Sequence, residues 1–112
     1  MSLTFMFELD GTLNDTQGIR DYDRDLFYTF KPRKEIINIL KSIKKRGGKI
    51  IISTKKRPGI ESHITIKWLK KHKIPYDHIV FGSFHVDYYI NENAANIKTL
   101  LKSFDSLWSD TN

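Results

Sequence analysis

The chain has 112 residues, of which 39% are hydrophobic and 29% are charged, a composition typical of one globular domain and not of a disordered chain. It contains no cysteine, which excludes disulfides and cysteine-based zinc sites. Its apolar runs are too short to span a bilayer, and its first residues lack the pattern of a signal peptide. We therefore expect a soluble, cytoplasmic protein with no membrane contact.

The apolar pattern alternates between short strands and helices along the chain. The predicted elements are a strand over 3–9, a loop or small flap over 14–31, a helix that begins near Pro32 and ends at Gly47–Gly48, a strand over 49–53, a helix over 60–73 ended by Pro75, strands over 78–81 and 86–90, and a closing helix over 94–104. This alternation predicts a single α/β domain over 1–112: a three-layer α/β/α sandwich with a mostly parallel, Rossmann-like sheet.

Two acidic residues stand where the first predicted strand ends. Glu8 and Asp10 are two residues apart, so in an extended chain they point to the same face. Like charges held this close repel unless a cation or a shared proton relieves them. The pair indicates either a metal and phosphate site or a polar turn.

The other predicted strands end in polar residues as well. In open parallel sheets, ligands bind beyond the carboxyl ends of the strands. Those ends are residues 8–12, 53–54, 82–83 and 91–92, and all contain acidic or small polar side chains. Thr54 and the pair Asn91–Glu92 are also suitable helix caps, and Ser83 is a common turn residue. We expect Glu8, Asp10, Thr54 and Glu92 to line one cleft.

Three segments, in order, resemble the four motifs of the haloacid dehalogenase (HAD) superfamily of phosphatases. "FMFELDGTL" resembles the first motif, in which an apolar run leads into Asp-x-Asp-Gly-Thr, and "KIIISTKK" resembles the second. "IVFGSFHVDYYINENA" resembles the third and fourth, which supply a lysine and an acidic pair. The short loops between the motifs leave no room for a cap domain. The chain therefore looks like the small capless members, several of which are associated with sugar or capsule metabolism.

The resemblance implies a Mg²⁺-dependent phosphatase acting on a small phosphate ester. It places the nucleophile at Glu8 and the general acid and base at Asp10. The implied metal ligands are Glu8, the Asp10 backbone carbonyl, Asn91 and Glu92. The predicted phosphate-binding residues are Gly11, Thr12, Ser53, Thr54, Lys55 and Ser83.

Three positions differ from the family pattern: Glu8 and Asn91 replace aspartates, and Ser83 replaces the lysine. The longer Glu8 side chain displaces its carboxylate, and a shift near 1 Å can lower a rate on the order of a hundredfold. Lys55 or Lys56 can replace the missing cation. Two hypotheses remain: a slow hydrolase, or a catalytically degenerate protein that binds a phosphorylated ligand, a nucleic acid or a protein partner. The stretch 31–57, dense in Lys and Arg, indicates an affinity for anions or simply solvated helix faces.

Overall fold

The computed structural model describes residues 3–55, 62–81 and 88–90. The elements in chain order are β1 (Thr4–Glu8), a wide turn (Leu9–Leu13), β2 (Asn14–Asp15), α1 (Arg24–Thr29), β3 (Lys31–Pro32), α2 (Lys34–Lys45), β4 (Lys49–Ser53), α3 (Ser62–Lys71), β5 (His78–Val80) and β6 (Tyr88–Ile90). Among these residues, no helix is long and apolar enough to cross a membrane.

Four of the strands form one sheet in the order β5–β4–β1–β6, and all neighbouring strands are parallel. β4 and β5 lie on one side of β1, and β6, which follows them in the chain, lies on the other side. The order therefore reverses at β1, and a crevice forms at the carboxyl ends of the strands at such a reversal. The predicted α/β class and mostly parallel sheet are confirmed.

The core lies against one face of this sheet. Side chains alternate between the two faces of a strand, so Phe5 and Phe7 of β1 share a face, and both are fully buried. They belong to the same buried cluster as Ile50 and Ile52 of β4. Helices complete the cluster with buried residues of α2 (Ile36, Ile37, Ile39, Leu40, Ile43) and of α3 (Trp68, Leu69). The apolar stripe predicted for α2 is therefore confirmed.

The predicted role of Pro32 is wrong. Pro32 lies in β3, where it pairs with Asn14 of β2 in an antiparallel two-stranded ladder. This pairing holds Pro32 in an extended conformation, and the N–H of Arg33 still bonds to the carbonyl of Leu13 at 2.8 Å. The helix consequently begins two residues later, at Lys34.

The segment predicted as a loop or flap contains regular structure. The β2–β3 ladder closes its base, and the six-residue helix α1 lies within it. Asp23 caps α1, because its side chain accepts a hydrogen bond from the N–H of Leu26 at 2.9 Å. We call residues 16–23 the flap loop, since they connect β2 to α1.

The ends of the helices have local causes. Gly47 ends α2 with a φ of +84°, which a residue without a Cβ adopts at no steric cost, and the N–H of Gly48 returns to the carbonyl of Ile43. Lys73 has a φ of +54° and ends α3, so Pro75 is not the residue that stops this helix. The predicted closing helix over 94–104 lies outside the described residues.

Asp77 connects α2 to the sheet. Its N–H donates to the carbonyl of Ile50, and its Oδ2 accepts the N–H of Ile50, both at 2.8 Å. Lys44 Nζ lies 2.9 Å from the same carboxylate. Burial by itself raises the pKa of Asp77, but the hydrogen bonds from Lys44 and Ile50, with the charges of Lys44 and His78, lower this pKa overall. The contacts fix the register with which the chain enters β4 and β5.

Candidate functional site

A cleft of about 340 Å³ lies at the carboxyl edge of the sheet, beside the point where the strand order reverses. Its volume is at the lower end of the range for small-molecule pockets. The described residues that line it are Glu8, Asp10, Gly11, Thr16, Ile19, Arg20, Tyr22, Ser53, Thr54 and Lys55. The ends of two neighbouring strands and the flap loop therefore meet around one space.

The wide turn after β1 exposes the acidic pair to the cleft. Gly11 has a φ of +90°, which costs other residues about 1–2 kcal/mol. Its N–H donates to Asn14 Oδ1 at 2.7 Å, and the N–H of Asn14 returns to the carbonyl of Leu9. The Asp-Gly-Thr element thus bends the chain while the side chain of Asn14, which is fully buried, closes the turn.

Asp10 is held from two directions. Tyr22 Oη donates to its Oδ1 at 2.7 Å, and Thr54 Oγ1 donates to its Oδ2 at 2.8 Å. Both oxygens accept hydrogen bonds, an arrangement that satisfies the ionised carboxylate. One donor comes from the flap loop and the other follows β4, so two separate elements position the same side chain.

Thr54 extends the ladder of β4. Its N–H donates to the carbonyl of Val80 at 3.0 Å, and the residue is only 1% exposed. In this structure the hydroxyl proton that was expected to bind phosphate is donated to Asp10. Ser53, the alternative, is opposite Glu8 in the β1–β4 register and also lines the cleft.

Thr12 differs from its neighbours in the turn. It is fully buried, and its Oγ1 has no hydrogen-bond partner among the described residues. It is not among the described residues that line the cleft, whereas Gly11 is. The phosphate-binding role that the sequence predicts for Thr12 stays a prediction.

The cations and metal donors of the site are only partly described. Two exposed cationic side chains line the cleft: Lys55, which follows β4, and Arg20, which lies in the flap loop. Within residues 3–55, 62–81 and 88–90, no group of three or more acidic, histidine or cysteine side chains is placed to hold a metal ion. Ser83, Asn91 and Glu92 lie outside the described residues, as does Lys56.

Four lining residues of the flap loop were not predicted from the sequence: Thr16, Ile19, Arg20 and Tyr22. The sequence predicted a loop or flap over 14–31 after the first strand, and loops that follow the carboxyl ends of parallel strands lie beside the ligand crevice. The position of the loop therefore predicts that it lies near the cleft, but it does not reveal which of its side chains line the cleft.

Neither a family model nor a curated protein matches the chain. Solved structures do: a target protein from Vibrio cholerae is 23% identical, with complete coverage of both chains and a TM-score of 0.66. A conserved protein from Bacteroides thetaiotaomicron is 14% identical over 99% of this chain and 98% of that one, with a TM-score of 0.69.

A chain of the Pnkp1/Rnl/Hen1 RNA repair complex is also similar, at 20% identity and a TM-score of 0.60. The similarity covers 96% of the present chain but 32% of that chain, so the present chain spans about a third of its length. At these identities the three similarities show the fold, and they are consistent with the HAD-like phosphatase fold that the motifs predict.

Proposed function

We propose that the cleft hydrolyses a small phosphate ester, with Glu8 as nucleophile and Asp10 as general acid and base. The observation that supports this most is the meeting of Glu8, Asp10, Ser53, Thr54 and Lys55 in one cleft at the carboxyl ends of β1 and β4. The volume of the cleft suits a small ligand.

In the proposed reaction, a carboxylate oxygen of Glu8 attacks phosphorus, the bond to the ester oxygen breaks, and protonated Asp10 gives its proton to that oxygen. Asp10 then takes a proton from a water molecule, whose oxygen attacks the glutamyl phosphate. Inorganic phosphate leaves, and the carboxylate of Glu8 is regenerated. Each carboxylate oxygen has two lone pairs, so Asp10 can carry the transferred proton on one of them while both oxygens continue to accept hydrogen bonds from Tyr22 and Thr54.

A hard divalent cation is the metal that this proposal assigns to the cleft. Glu8 is half-buried and lines the cleft, and oxygen ligands of this kind are the ones that Mg²⁺ prefers. Glu8 and the backbone carbonyl of Asp10, together with Asn91 and Glu92, would hold the ion. When bound, Mg²⁺ would neutralise charge on the phosphoryl group. Lys55 and Arg20 are the described cations of the cleft that can pair with the same group.

The test is release of phosphate from an aryl phosphate in the presence of Mg²⁺. Wild type should turn over slowly, Glu8→Gln should be inactive, and Glu8→Asp should be faster because the nucleophile regains the reach that the motif implies. Glu35→Gln is the matched control, since it removes one carboxylate from the exposed first turn of α2. Equal rates for wild type and Glu8→Gln would refute the proposed nucleophile.

Binding of a phosphorylated ligand without turnover is the second candidate. It is favoured by the longer Glu8 side chain in a cleft that still contains two cations, Arg20 and Lys55. Isothermal titration with orthovanadate, with and without Mg²⁺, separates the candidates, because binding with no turnover of any aryl phosphate supports this one. Nucleic acid is a further ligand class, suggested by the net charge of +6 and by the similar chain in an RNA repair complex.

The proposed architecture behind this site is a single, capless three-layer domain over 1–112. Met6 supports it, because this residue points away from Phe5 and Phe7 and is nevertheless fully buried. Both faces of β1 are therefore shielded from water, as in a sheet with a helical layer on each side.

A further inference from the structure

We propose that Tyr22 is a positioning residue for Asp10, and that the flap loop takes part in proton transfer through the hydroxyl of this tyrosine. The proposal rests on the proposed function in so far as it concerns turnover. No motif of the sequence includes Tyr22, and the geometry alone assigns its role.

Asp10 requires two anchors because its terminal torsion is intrinsically loose. The χ2 angle of aspartate is broad, so one hydrogen bond to one oxygen leaves the plane of the carboxylate free to turn. Thr54 holds Oδ2 from the sheet, and Tyr22 holds Oδ1 from the flap loop. With a donor on each oxygen, the plane of the carboxylate is fixed.

Tyr22 is itself firmly supported. Its ring packs edge-on against Phe30, with centroids 4.9 Å apart and planes at 85°. Phe30 is 6% exposed, and its carbonyl accepts a hydrogen bond from Trp68 Nε1 at 2.9 Å. Trp68 is fully buried in α3. A continuous set of contacts therefore connects the buried core to the carboxylate through the aromatic ring of Tyr22.

This arrangement predicts a specific defect when the Tyr22 hydroxyl is removed. Asp10 acts in proton transfer, so its misplacement weakens an interaction made in the transition state and leaves substrate binding unchanged. Tyr22→Phe keeps the ring that packs on Phe30. Its kcat should fall on the order of tenfold to a hundredfold, while KM stays within about twofold.

The leaving group provides a readout that a merely structural role would not change. Nitrophenolate needs little protonation as it departs, whereas an alkoxide needs a proton from Asp10. Tyr22→Phe should therefore lose more activity on an alkyl phosphate than on nitrophenyl phosphate. Tyr28→Phe is the matched control: this tyrosine, in α1, packs under Lys71 Nζ at 4.7 Å from its ring centroid, and its variant should keep the wild-type ratio of the two rates.

A measurement independent of turnover tests the same contact. In a double-mutant cycle, Tyr22→Phe, Asp10→Ala and the double variant are unfolded in urea. A hydrogen bond to a charged group should appear as coupling of about tenfold in the unfolding equilibrium constant. Coupling below about twofold would overturn the proposal, whether or not the wild type releases phosphate. A wild type that releases no phosphate would count against the proposed function but not against the contact between Tyr22 and Asp10. With an active wild type, an unchanged ratio of alkyl to nitrophenyl rates in Tyr22→Phe would overturn the proposal as well.

Discussion

Thr54 and Thr12 are two buried threonines near the acidic pair that should respond in opposite ways to the same substitution. Thr54 Oγ1 donates to Asp10 at 2.8 Å and Thr54 is 1% exposed, whereas the buried hydroxyl of Thr12 has no hydrogen-bond partner in the part of the chain that the structure describes. Valine has nearly the shape of threonine, so Thr→Val at each site isolates the hydroxyl.

The magnitude follows from what each hydroxyl contacts. A hydrogen bond to a charged group contributes about 1.5–3 kcal/mol, so Thr54→Val should lower the free energy of unfolding by that amount. For a domain of this size, the loss corresponds to a fall in Tm of about 6–12 °C. Thr12→Val removes a buried hydroxyl that lacks a partner and should be neutral or stabilising by about 1 kcal/mol.

Urea unfolding followed by tryptophan fluorescence measures both variants, with an unchanged m-value as the check that the unfolded state is the same. Comparable losses in the two variants would show that the hydroxyl of Thr12 has an essential partner in solution. A loss below about 0.5 kcal/mol in Thr54→Val would show that its contact with Asp10 adds nothing to stability, since substitutions without a structural effect fall in that range.

Three further predictions concern the scaffold. Burial and the charge of Lys71 lower the pKa of His72 from its ordinary 6.5, so protonation of this side chain opposes folding. The free energy of unfolding should fall as the pH drops below 6.5. His72→Phe should reduce this pH dependence in unfolding curves measured between about pH 7 and 5. The pKa of Asp77 is lowered, so its carboxylate stabilises the fold above the ordinary carboxyl pKa, and this stabilisation is lost as the pH falls through the lowered pKa. Asp77→Asn should therefore lower the free energy of unfolding by about 1 kcal/mol at pH 7 and by almost nothing in strong acid. Gly47→Ala should lower Tm by an amount equivalent to about 1 kcal/mol, because the added Cβ meets none of the described residues within 4 Å and the φ of +84° opposes the change. An unchanged Tm would contradict this explanation of how α2 ends.

The sequence predicted best where one local rule agreed with burial. The β-branched run at 49–53 is β4 at the same residues, and the apolar spacing from Ile36 to Ile43 marks the buried side of α2. Pro32 was misplaced because a two-residue ladder with Asn14, a tertiary contact, decides its conformation. Helix α1 was missed because six residues are too few to show a helical period.

For the site, strand order explains both what was predicted and what was missed. Parallel topology alone places Glu8, Asp10, Ser53 and Thr54 at one edge, and the structure finds all four around one cleft. The partner of each side chain is a different matter. Tyr22 packs against Phe30 and reaches back over twelve positions to Asp10, and Thr54 donates to the same carboxylate from 44 positions away. No spacing in the sequence encodes either contact.

The side chains of Glu8 and Asp10 are therefore positioned by different interactions, and this difference affects the proposed chemistry. Each carboxylate oxygen of Asp10 accepts a hydrogen bond, one from the flap loop and one from the residue that follows β4. Glu8 is set by the register of β1 against Ser53, and its additional methylene adds one torsion beyond what an aspartate would have. In the proposed reaction, changes at Glu8 would alter the reach of the attacking oxygen, whereas changes at Tyr22 would alter the placement of the proton. Because attack and protonation act together in one proposed transition state, their effects should not be additive, and the gain from Glu8→Asp should be smaller in a Tyr22→Phe background.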